Sequence, residues 1–214
     1  MNWTAREIGR ARIVFASAAA GSAPADPVLV RQVHGAAVVD AATVGAERPE
    51  ADALVTDRVG VVCAIRTADC APVALVVGDG AAVGLAHAGW RGLRDGVIQA
   101  TVHALRARHE APIHAVLGPC IRVEHYEFGE PDLSSMVERY GAQLRGRTTA
   151  GAPALDVVAG VRAALREVGV TELDDVVIDT YASPAHHSWR RDHDDARNVT
   201  YAWIDPENIS EVES

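Results

Sequence analysis

The sequence predicts an α/β (α+β) fold, with helices and mixed sheets in layers and with residues 1–214 in a single domain. Short valine-rich runs, each bounded by Gly, Pro or Asp, are typical of strands. Three longer stretches repeat their apolar residues at helical spacing. Hairpin signals and helix-linked strands occur in the same chain, which favours mixed sheets over a purely parallel one.

Eight runs have the composition of short strands, at residues 12–17, 28–33, 61–67, 73–77, 81–87, 113–117, 176–179 and 199–204. The fourth and fifth runs are separated by Gly78-Asp79-Gly80, a strong turn signal. These two runs are therefore predicted to form a β-hairpin.

Helical periodicity covers residues 93–108, 131–140 and 156–168. Pro131 stands where the first turn of a helix tolerates proline. Gly169 follows the third stretch and suits a helix end in the left-handed conformation. Because 49% of the 214 residues are hydrophobic, these elements can bury one good core or two small ones.

Charge and composition exclude several classes of partner. The net charge of −9, with no visible basic stripe, speaks against nucleic acid as the main partner. No apolar run approaches the roughly 20 residues that cross a membrane, and the N-terminus lacks the layout of a signal peptide. Three cysteines, an odd number, fit a reducing cytoplasm in which thiols are core residues, metal ligands or nucleophiles. We therefore expect a cytoplasmic protein.

The predicted hairpin brings a cysteine and a histidine together. Pairing that is symmetric about Asp79 places Ala71 opposite His87 and Cys70 opposite Ala88, and opposed residues have Cβ atoms about 4.5–5.5 Å apart. Cys70 and His87 are therefore expected to converge at the open end of the hairpin. An arbitrary pair of this kind is more often a small core residue and a hydrogen-bonded histidine.

Three neighbours of this pair favour a binding site instead. Asp69 is a charge at the rim of an apolar hairpin, where it is expected to pair or to bind something. Gly89 and Gly92 allow the backbone to approach a ligand closely. Gly92 is also predicted to open the following helix, whose free N–H groups can receive an anion.

His34 is a third candidate ligand, at the end of a strand-like run and before a glycine; an ordinary surface histidine is an equal alternative. Together, His34, Cys70 and His87 form a coherent zinc set that leaves a fourth position for water or substrate. Copper suits the same imidazole and thiolate donors. Redox-inactive zinc is the metal expected in the cytoplasm.

Seven short motifs stand out along the sequence: QVHG at 32–35, ADA at 51–53, TADCAP at 67–72, HAGWRG at 87–92, GPCI at 118–121, YEFG at 126–129 and SWRRD at 188–192. These motifs resemble the successive signatures of the laccase-domain family, whose members are also called YfiH-type purine nucleoside phosphorylases, polyphenol oxidases or peptidoglycan editing factors. They run in order through nearly the whole chain, and TADC and HAGWRG are highly specific together.

The resemblance implies an αββα-type layered fold and a metal held by the residues that match His34, Cys70 and His87. It implies zinc-dependent phosphorolysis of adenosine, inosine and S-methyl-5'-thioadenosine, with adenosine deamination alongside, so that the partners are small nucleosides and phosphate. Multicopper phenol oxidation is not expected, because it requires many histidine ligands. This chain has nine histidines and two methionines, and the histidines form no dense His-x-His array. The oligomeric state is not readable from the sequence.

Four basic or aromatic side chains are candidates for holding the substrate. Arg91, beside the predicted helix start, is a candidate for binding phosphate, and Arg190 and Arg191 could reach in from a late loop. The latter two could equally form ion pairs with nearby aspartates. Trp90 could stack on a base or pack in the core.

Two further residues have alternative roles. Asp69 is a candidate acid/base group or orients a ligand histidine, or it holds its own loop through a hydrogen bond. Cys120 lies in the GPCI motif and could line the pocket, although packing is its default role.

Two other functions stay open. With Cys70 as nucleophile and His87 as base, the protein would be a hydrolase that cleaves an amide in a cell-wall precursor. The family also typically carries an arginine after the first strand, where this chain has Ala18. Without that arginine, the protein could bind the metal and lack catalysis.

Overall fold

The computed structural model describes residues 3–17, 24 and 26–206. The strands in this part of the chain are β1 Trp3–Ile8, β2 Ala11–Ala16, β3 Val28–Leu29, β4 Val38–Asp40, β5 Ala53–Thr56, β6 Cys63–Thr67, β7 Ala71–Val77, β8 Ala82–Ala88, β9 Ile113–Leu117, β10 Arg145–Arg147, β11 Pro153–Leu155, β12 Leu173–Asp175 and β13 Asn198–Ile204. The α-helices are α1 Trp90–Asp95, α2 Val97–Arg106, α3 Glu130–Tyr140, α4 Val157–Glu167 and α5 Trp189–Asp192.

Two mixed sheets form the centre of the fold. One has five strands in the order β1-β2-β13-β6-β3, and the other has six in the order β12-β9-β7-β8-β5-β4. Each contains both parallel and antiparallel pairs, while β10 and β11 pair separately. The predicted mixed α/β fold class is confirmed.

The two faces of strand β7 explain why the sheets and helices form layers. Successive side chains of a strand point to opposite faces. Val73 and Leu75 pack against helices α1 to α4, whereas Ala74 and Val76 pack against the five-stranded sheet. A strand buried on both sides is continuously apolar, as the whole of β7 is buried.

The helices follow the predicted periodicity with one correction. The stretch at 93–108 is two helices, because Gly96 adopts a φ of 94° where α1 ends and α2 begins. Helix α1 starts earlier than predicted, at Trp90, so Gly92 lies in its first turn and does not open it. Pro131 lies in the first turn of α3, and Gly169, with a φ of 67°, follows α4, both as predicted. No helix within the described residues combines the length and the apolar character needed to cross a membrane.

The hairpin forms, but its register differs from the prediction by one residue. Ala71 pairs with Ala88, and Pro72 pairs with His87. The predicted pairing of Ala71 with His87 is therefore wrong, and Cys70 lies just outside the strand rather than opposite Ala88.

The turn explains this shift. Four residues, 78–81, connect the strands, and the Val77 carbonyl accepts hydrogen bonds from both Gly80 N and Ala81 N at 3.0 Å. A symmetric turn centred on residue 79 would have required three connecting residues. The extra residue moves every pair by one position.

The predicted strand at 176–179 is also wrong, because the strand in this region, β12, ends at Asp175. The carboxylate of Asp175 accepts a hydrogen bond from Val177 N at 2.9 Å, and Val177 has a φ of 56°. This local turn ends the strand although the following residues are valines.

Candidate metal centre

Three potential metal ligands converge where the β7–β8 hairpin opens. His87 is buried in β8, Cys70 immediately precedes β7, and His34 lies in the loop between β3 and β4. One donor atom from each residue lies within 4.8 Å of the others. Cys70 Sγ is 3.9 Å from His34 Nε2, and the two imidazole rings are 4.7 Å apart at their centroids. The elements that carry these residues are distant in the chain and adjacent in the fold.

A single buried carboxylate holds two of the three ligands in place. Asp52 Oδ1 lies 2.8 Å from His87 Nδ1, and because an ionised carboxylate can only accept, Nδ1 carries the proton. The other ring nitrogen, Nε2, is then the atom available to a metal. The same carboxylate accepts hydrogen bonds from the backbone N–H groups of Val33, His34 and Gly35 at 3.2, 2.9 and 2.7 Å. Asp52 thus fixes the ring of one ligand and the loop of another.

The charge on Asp52 is maintained by these contacts. Burial alone would raise the pKa of Asp52, but the hydrogen bonds from His87 and from the loop N–H groups outweigh burial and lower it. A carboxylate that accepts several N–H groups favours its ionised form. This arrangement is typical of the partner that orients a metal-binding histidine.

Two glycines, one directly before α1 and one in its first turn, allow this part of the backbone to approach the candidate ligands. A Cβ added at Gly89 would lie 2.7 Å from His34 Cδ2 and 3.2 Å from Cys70 Sγ. A Cβ at Gly92 would lie 2.6 Å from the carbonyl oxygen of Gly35. The backbone at Gly89 lies against His34 and Cys70, and the backbone at Gly92 lies against Gly35 beside His34, so both positions require glycine.

The thiol and the imidazoles influence each other's protonation. Burial would raise the pKa of Cys70, but His87 and His34 outweigh this effect and lower it. Burial would correspondingly lower the pKa of His87, but Cys70 and Asp52 outweigh it and raise it. The metal-free site therefore favours a thiolate beside an imidazolium.

This donor set fits one zinc ion. Zinc binds nitrogen at about 2.0–2.1 Å and sulfur at about 2.3 Å in tetrahedral geometry, so its donors lie roughly 3.3–3.6 Å apart. The observed separations are within reach of that geometry through small side-chain movements. Among the described residues, His34, Cys70 and His87 are the group of His, Cys, Asp or Glu side chains that could hold an ion.

The three ligands line an open cleft with a volume of about 690 Å³. Other residues on its walls are Arg48, Arg66, Trp189 and Arg197. The cleft is large enough for a nucleoside-sized molecule beside the candidate ligands.

Comparison with known proteins identifies the family. A family model described as multi-copper polyphenol oxidoreductase laccase matches residues 5–205. The chain belongs to this family. The resemblance found in the sequence motifs is thus confirmed.

Relatives within the laccase family are named purine nucleoside phosphorylase. The protein from Streptomyces griseus is 40% identical over 190 residues, which are 86% of this chain and 77% of the relative. The protein from Xylella fastidiosa strain 9a5c is 41% identical over 191 residues, 85% of this chain and 73% of the relative. Escherichia coli YfiH is 34% identical over 188 residues, 87% of this chain and 77% of the relative.

Two crystal structures of similar proteins have the same fold. A Neisseria meningitidis protein has a TM-score of 0.84 at 26% identity, with 96% of this chain and 100% of that chain covered. YlmD from Geobacillus stearothermophilus has a TM-score of 0.74 at 29% identity, with 83% of this chain and 73% of that chain covered.

In this member of the laccase family, Asp69 holds a loop. Its Oδ1 accepts a hydrogen bond from Thr180 Oγ1 at 2.7 Å, and its Oδ2 accepts one from Arg190 N at 2.7 Å. Asp69 adopts a φ of 82°. Its carboxylate contacts neither ligand histidine, and the carboxylate that orients His87 is Asp52. A catalytic role for Asp69 stays a prediction.

Arg190 and Arg191 lie in the same late segment, with different partners. The guanidinium of Arg190 donates to the Glu127 carbonyl at 2.8 Å and lies over the Tyr126 ring. The guanidinium of Arg191 pairs with Asp192 and donates to four backbone carbonyls between residues 180 and 186. Neither side chain lines the cleft that contains the ligands.

The remaining predicted residues lie next to the site but outside the cleft walls. Trp90 contacts the Phe128 ring edge to face, and the exposed Arg91 stacks on Trp90 with its Cζ 4.4 Å from the ring centroid. Cys120 is completely buried. The substrate-binding roles of these three residues stay predictions, and Ala18 lies outside the described residues.

The sequence placed Asp52 in the ADA motif without predicting a role for it, and it did not predict the arginines of the cleft. Asp52 is a fully buried charge directly before the apolar strand β5, and this position was a usable signal. The residues next to Arg48 and Arg66 in the sequence do not indicate a binding role, because these two arginines reach the cleft only through the packing of distant segments.

Proposed function

We propose that this protein is a zinc-dependent purine nucleoside phosphorylase that acts on adenosine, inosine and S-methyl-5'-thioadenosine and also deaminates adenosine. The observation that carries this proposal is the convergence of His34, Cys70 and His87 on a cleft of about 690 Å³. The name purine nucleoside phosphorylase, which the relatives carry, supports the phosphorylase part of the proposal. Copper is the alternative metal, because imidazole and thiolate donors also bind copper.

Each residue of the site would have a separate role in the proposed reaction. Cys70 and the two histidines would hold the ion, and Asp52 would keep His87 in the tautomer that binds metal. A bound zinc ion supplies a Lewis acid and lowers the pKa of bound water. In phosphorolysis, a phosphate oxygen forms a bond to C1′ of the ribose. The bond from C1′ to N9 breaks, its electron pair goes to N9, and the purine leaves after taking up a proton.

Metal analysis combined with a product assay tests the proposal. The purified protein is expected to contain about one zinc ion per chain and to release adenine and ribose 1-phosphate from adenosine and phosphate, detected by chromatography. Cys70→Ala should lose both zinc and turnover. Cys63→Ala is the matched control, because Cys63 is a buried core residue of the other sheet.

Two results would contradict the proposal. One is adenine release by Cys70→Ala at the rate of the wild type. The other is a fully zinc-loaded wild type that releases no purine from any of the three nucleosides. Inosine formed from adenosine without phosphate reports the deaminase activity separately.

A second candidate function is a cysteine hydrolase that cleaves an amide in a cell-wall precursor. The lowered pKa of Cys70, which the neighbouring histidines cause against the effect of burial, favours a nucleophilic thiolate. A metal-free protein that an electrophilic substrate analogue labels at Cys70, with no nucleoside turnover, would support this candidate over the first. Stoichiometric zinc with nucleoside turnover would exclude it.

A further inference from the structure

The cleft beside the candidate ligands has cationic walls in an acidic protein. The chain carries a net charge of −9, yet Arg48, Arg66 and Arg197 all line this cleft. The carboxylate among its lining residues is Asp195, and that side chain is fully exposed to solvent. Cations gathered in a concave site attract an anionic ligand.

Two of these guanidinium groups have no partner within the described part of the chain. The side chains of Arg48 and Arg66 make no hydrogen bond or ion pair with the described residues. By contrast, the guanidinium of Arg139 forms an ion pair with Glu167. The hydrogen-bond donors of Arg48 and Arg66 are therefore available to a ligand.

Arg66 is nevertheless held at a fixed position by its backbone. The side chain of Gln32 accepts from Arg66 N at 2.8 Å and donates to Arg66 O at 2.9 Å. On its other side, Arg66 pairs with Val199 of strand β13. Gln32 is two residues from His34, so the same segment positions both a cleft arginine and a metal ligand.

Arg197 is positioned by its own loop. It donates to the carbonyls of Asp194 and Ala196 at 2.9 and 2.7 Å. Its separation from Asp195 is 3.9 Å, and such an exposed pair contributes little. Part of the guanidinium therefore remains available to a ligand.

Trp189 adds an aromatic surface to the same cleft. It is 49% exposed, which is unusual for a large apolar side chain. The Cζ of Arg197 lies 5.9 Å from its ring centroid. An exposed indole at the wall of a cleft suits stacking with a purine.

We propose that Arg48, Arg66 and Arg197 form a subsite for the phosphate ion that attacks the nucleoside. Trp189 contacts the purine in the same cleft. This inference rests on the proposed function and assigns its two substrates to different residues. Arginine matches phosphate through paired hydrogen bonds from its planar guanidinium, and three of them compensate a phosphate dianion.

Steady-state kinetics of matched variants tests this division. Arg66→Gln and Arg48→Gln should raise the KM for phosphate by about 10- to 100-fold, the effect of losing one hydrogen bond to a charged group. They should leave the KM for adenosine unchanged. Trp189→Leu should raise the KM for adenosine and leave that for phosphate unchanged, and Trp189→Phe should retain most of the adenosine affinity.

Arg166→Gln is the matched control, because Arg166 is an exposed arginine on α4 outside the cleft. It should change neither KM. Equal effects of Arg66→Gln on both substrates, or an unchanged KM for phosphate in all three arginine variants, would overturn the assignment.

A direct binding measurement separates this inference from the proposed function. Line broadening of inorganic phosphate in ³¹P spectra is expected with metal-free and with zinc-loaded protein, and it should be lost in Arg66→Gln. If the wild type has no phosphorolysis, the proposed function fails, whereas arginine-dependent phosphate binding would still support the subsite. Arginine-dependent binding of adenosine 5′-monophosphate without binding of inorganic phosphate would overturn it, because the anion would then belong to a nucleotide.

Discussion

Replacing Asp52 by asparagine tests how the ligands are positioned. The carboxylate of Asp52 accepts four hydrogen bonds, one from His87 Nδ1 and three from backbone N–H groups of residues 33–35. Each carboxylate oxygen accepts two of these four bonds. Asparagine replaces one of the two oxygens by an NH₂ group, so two hydrogen bonds are lost and two N–H donors face that NH₂ group. Each buried donor without a partner costs about 1–3 kcal/mol, so the free energy of unfolding should fall by roughly 2–6 kcal/mol.

Zinc affinity should fall in the same variant. Loss of the partner that orients a ligand histidine typically weakens metal binding by about 10- to 100-fold. Urea denaturation of the metal-free protein measures the stability, and competition with a chromophoric chelator measures the zinc affinity. Asp57→Asn is the matched control, because Asp57 Oδ2 lies 3.8 Å from both Arg108 Nη1 and His109 Nε2 and its surface position predicts a change within about 0.5 kcal/mol. The reasoning is refuted if Asp52→Asn unfolds at the urea concentration of the wild type and binds zinc within about twofold of it.

Three further predictions concern the same centre. Gly89→Ala should weaken zinc binding by about tenfold or more, because the new Cβ would lie 3.2 Å from Cys70 Sγ. Gly45→Ala is the control, because a Cβ at that position meets nothing within 4 Å. Equal zinc affinities in the two variants would contradict this prediction. In metal-free protein at pH 7, an alkylating reagent should modify Cys70, whose pKa the neighbouring histidines lower against the effect of burial. It should spare Cys63 and Cys120, whose pKa values burial raises to about 12. Peptide mass spectrometry checks this pattern, and equal labelling of all three thiols would count against it. Removal of zinc by a chelator should lower the Tm, since a ligand that binds the native state stabilises it; identical midpoints with and without zinc would speak against a native-state site.

Local patterns were sufficient to predict part of the centre. A glycine-rich turn between two valine-rich runs predicted the hairpin, and the hairpin brings Cys70 and His87 to one end even though its register is shifted by one residue. The shift depends on which carbonyl accepts the hydrogen bonds from the N–H groups of the turn. The residue types in the turn do not determine that carbonyl. His34 was recognised as a candidate because it ends a run and precedes a glycine, and the family motifs placed it with the other two.

The rest of the site depends on contacts between distant segments. Asp52 reaches His87 only because β5 pairs with β8. It reaches the loop of His34 because the backbone N–H groups of residues 33–35 lie against its carboxylate. Arg66 and Arg197 share a cleft because β6 pairs with β13. Such pairings are set by the packing of the whole core, which no short window of sequence contains.

The position of β13 has a consequence for synthesis in the cell. Within the described residues, this strand follows every other strand, and it lies between β2 and β6 in the sheet. On a translating ribosome, the five-stranded sheet therefore stays in two separate parts until residues 198–204 have emerged. The candidate metal ligands His34, Cys70 and His87 are all synthesised long before that moment, when the wall formed by Trp189 and Arg197 is still missing.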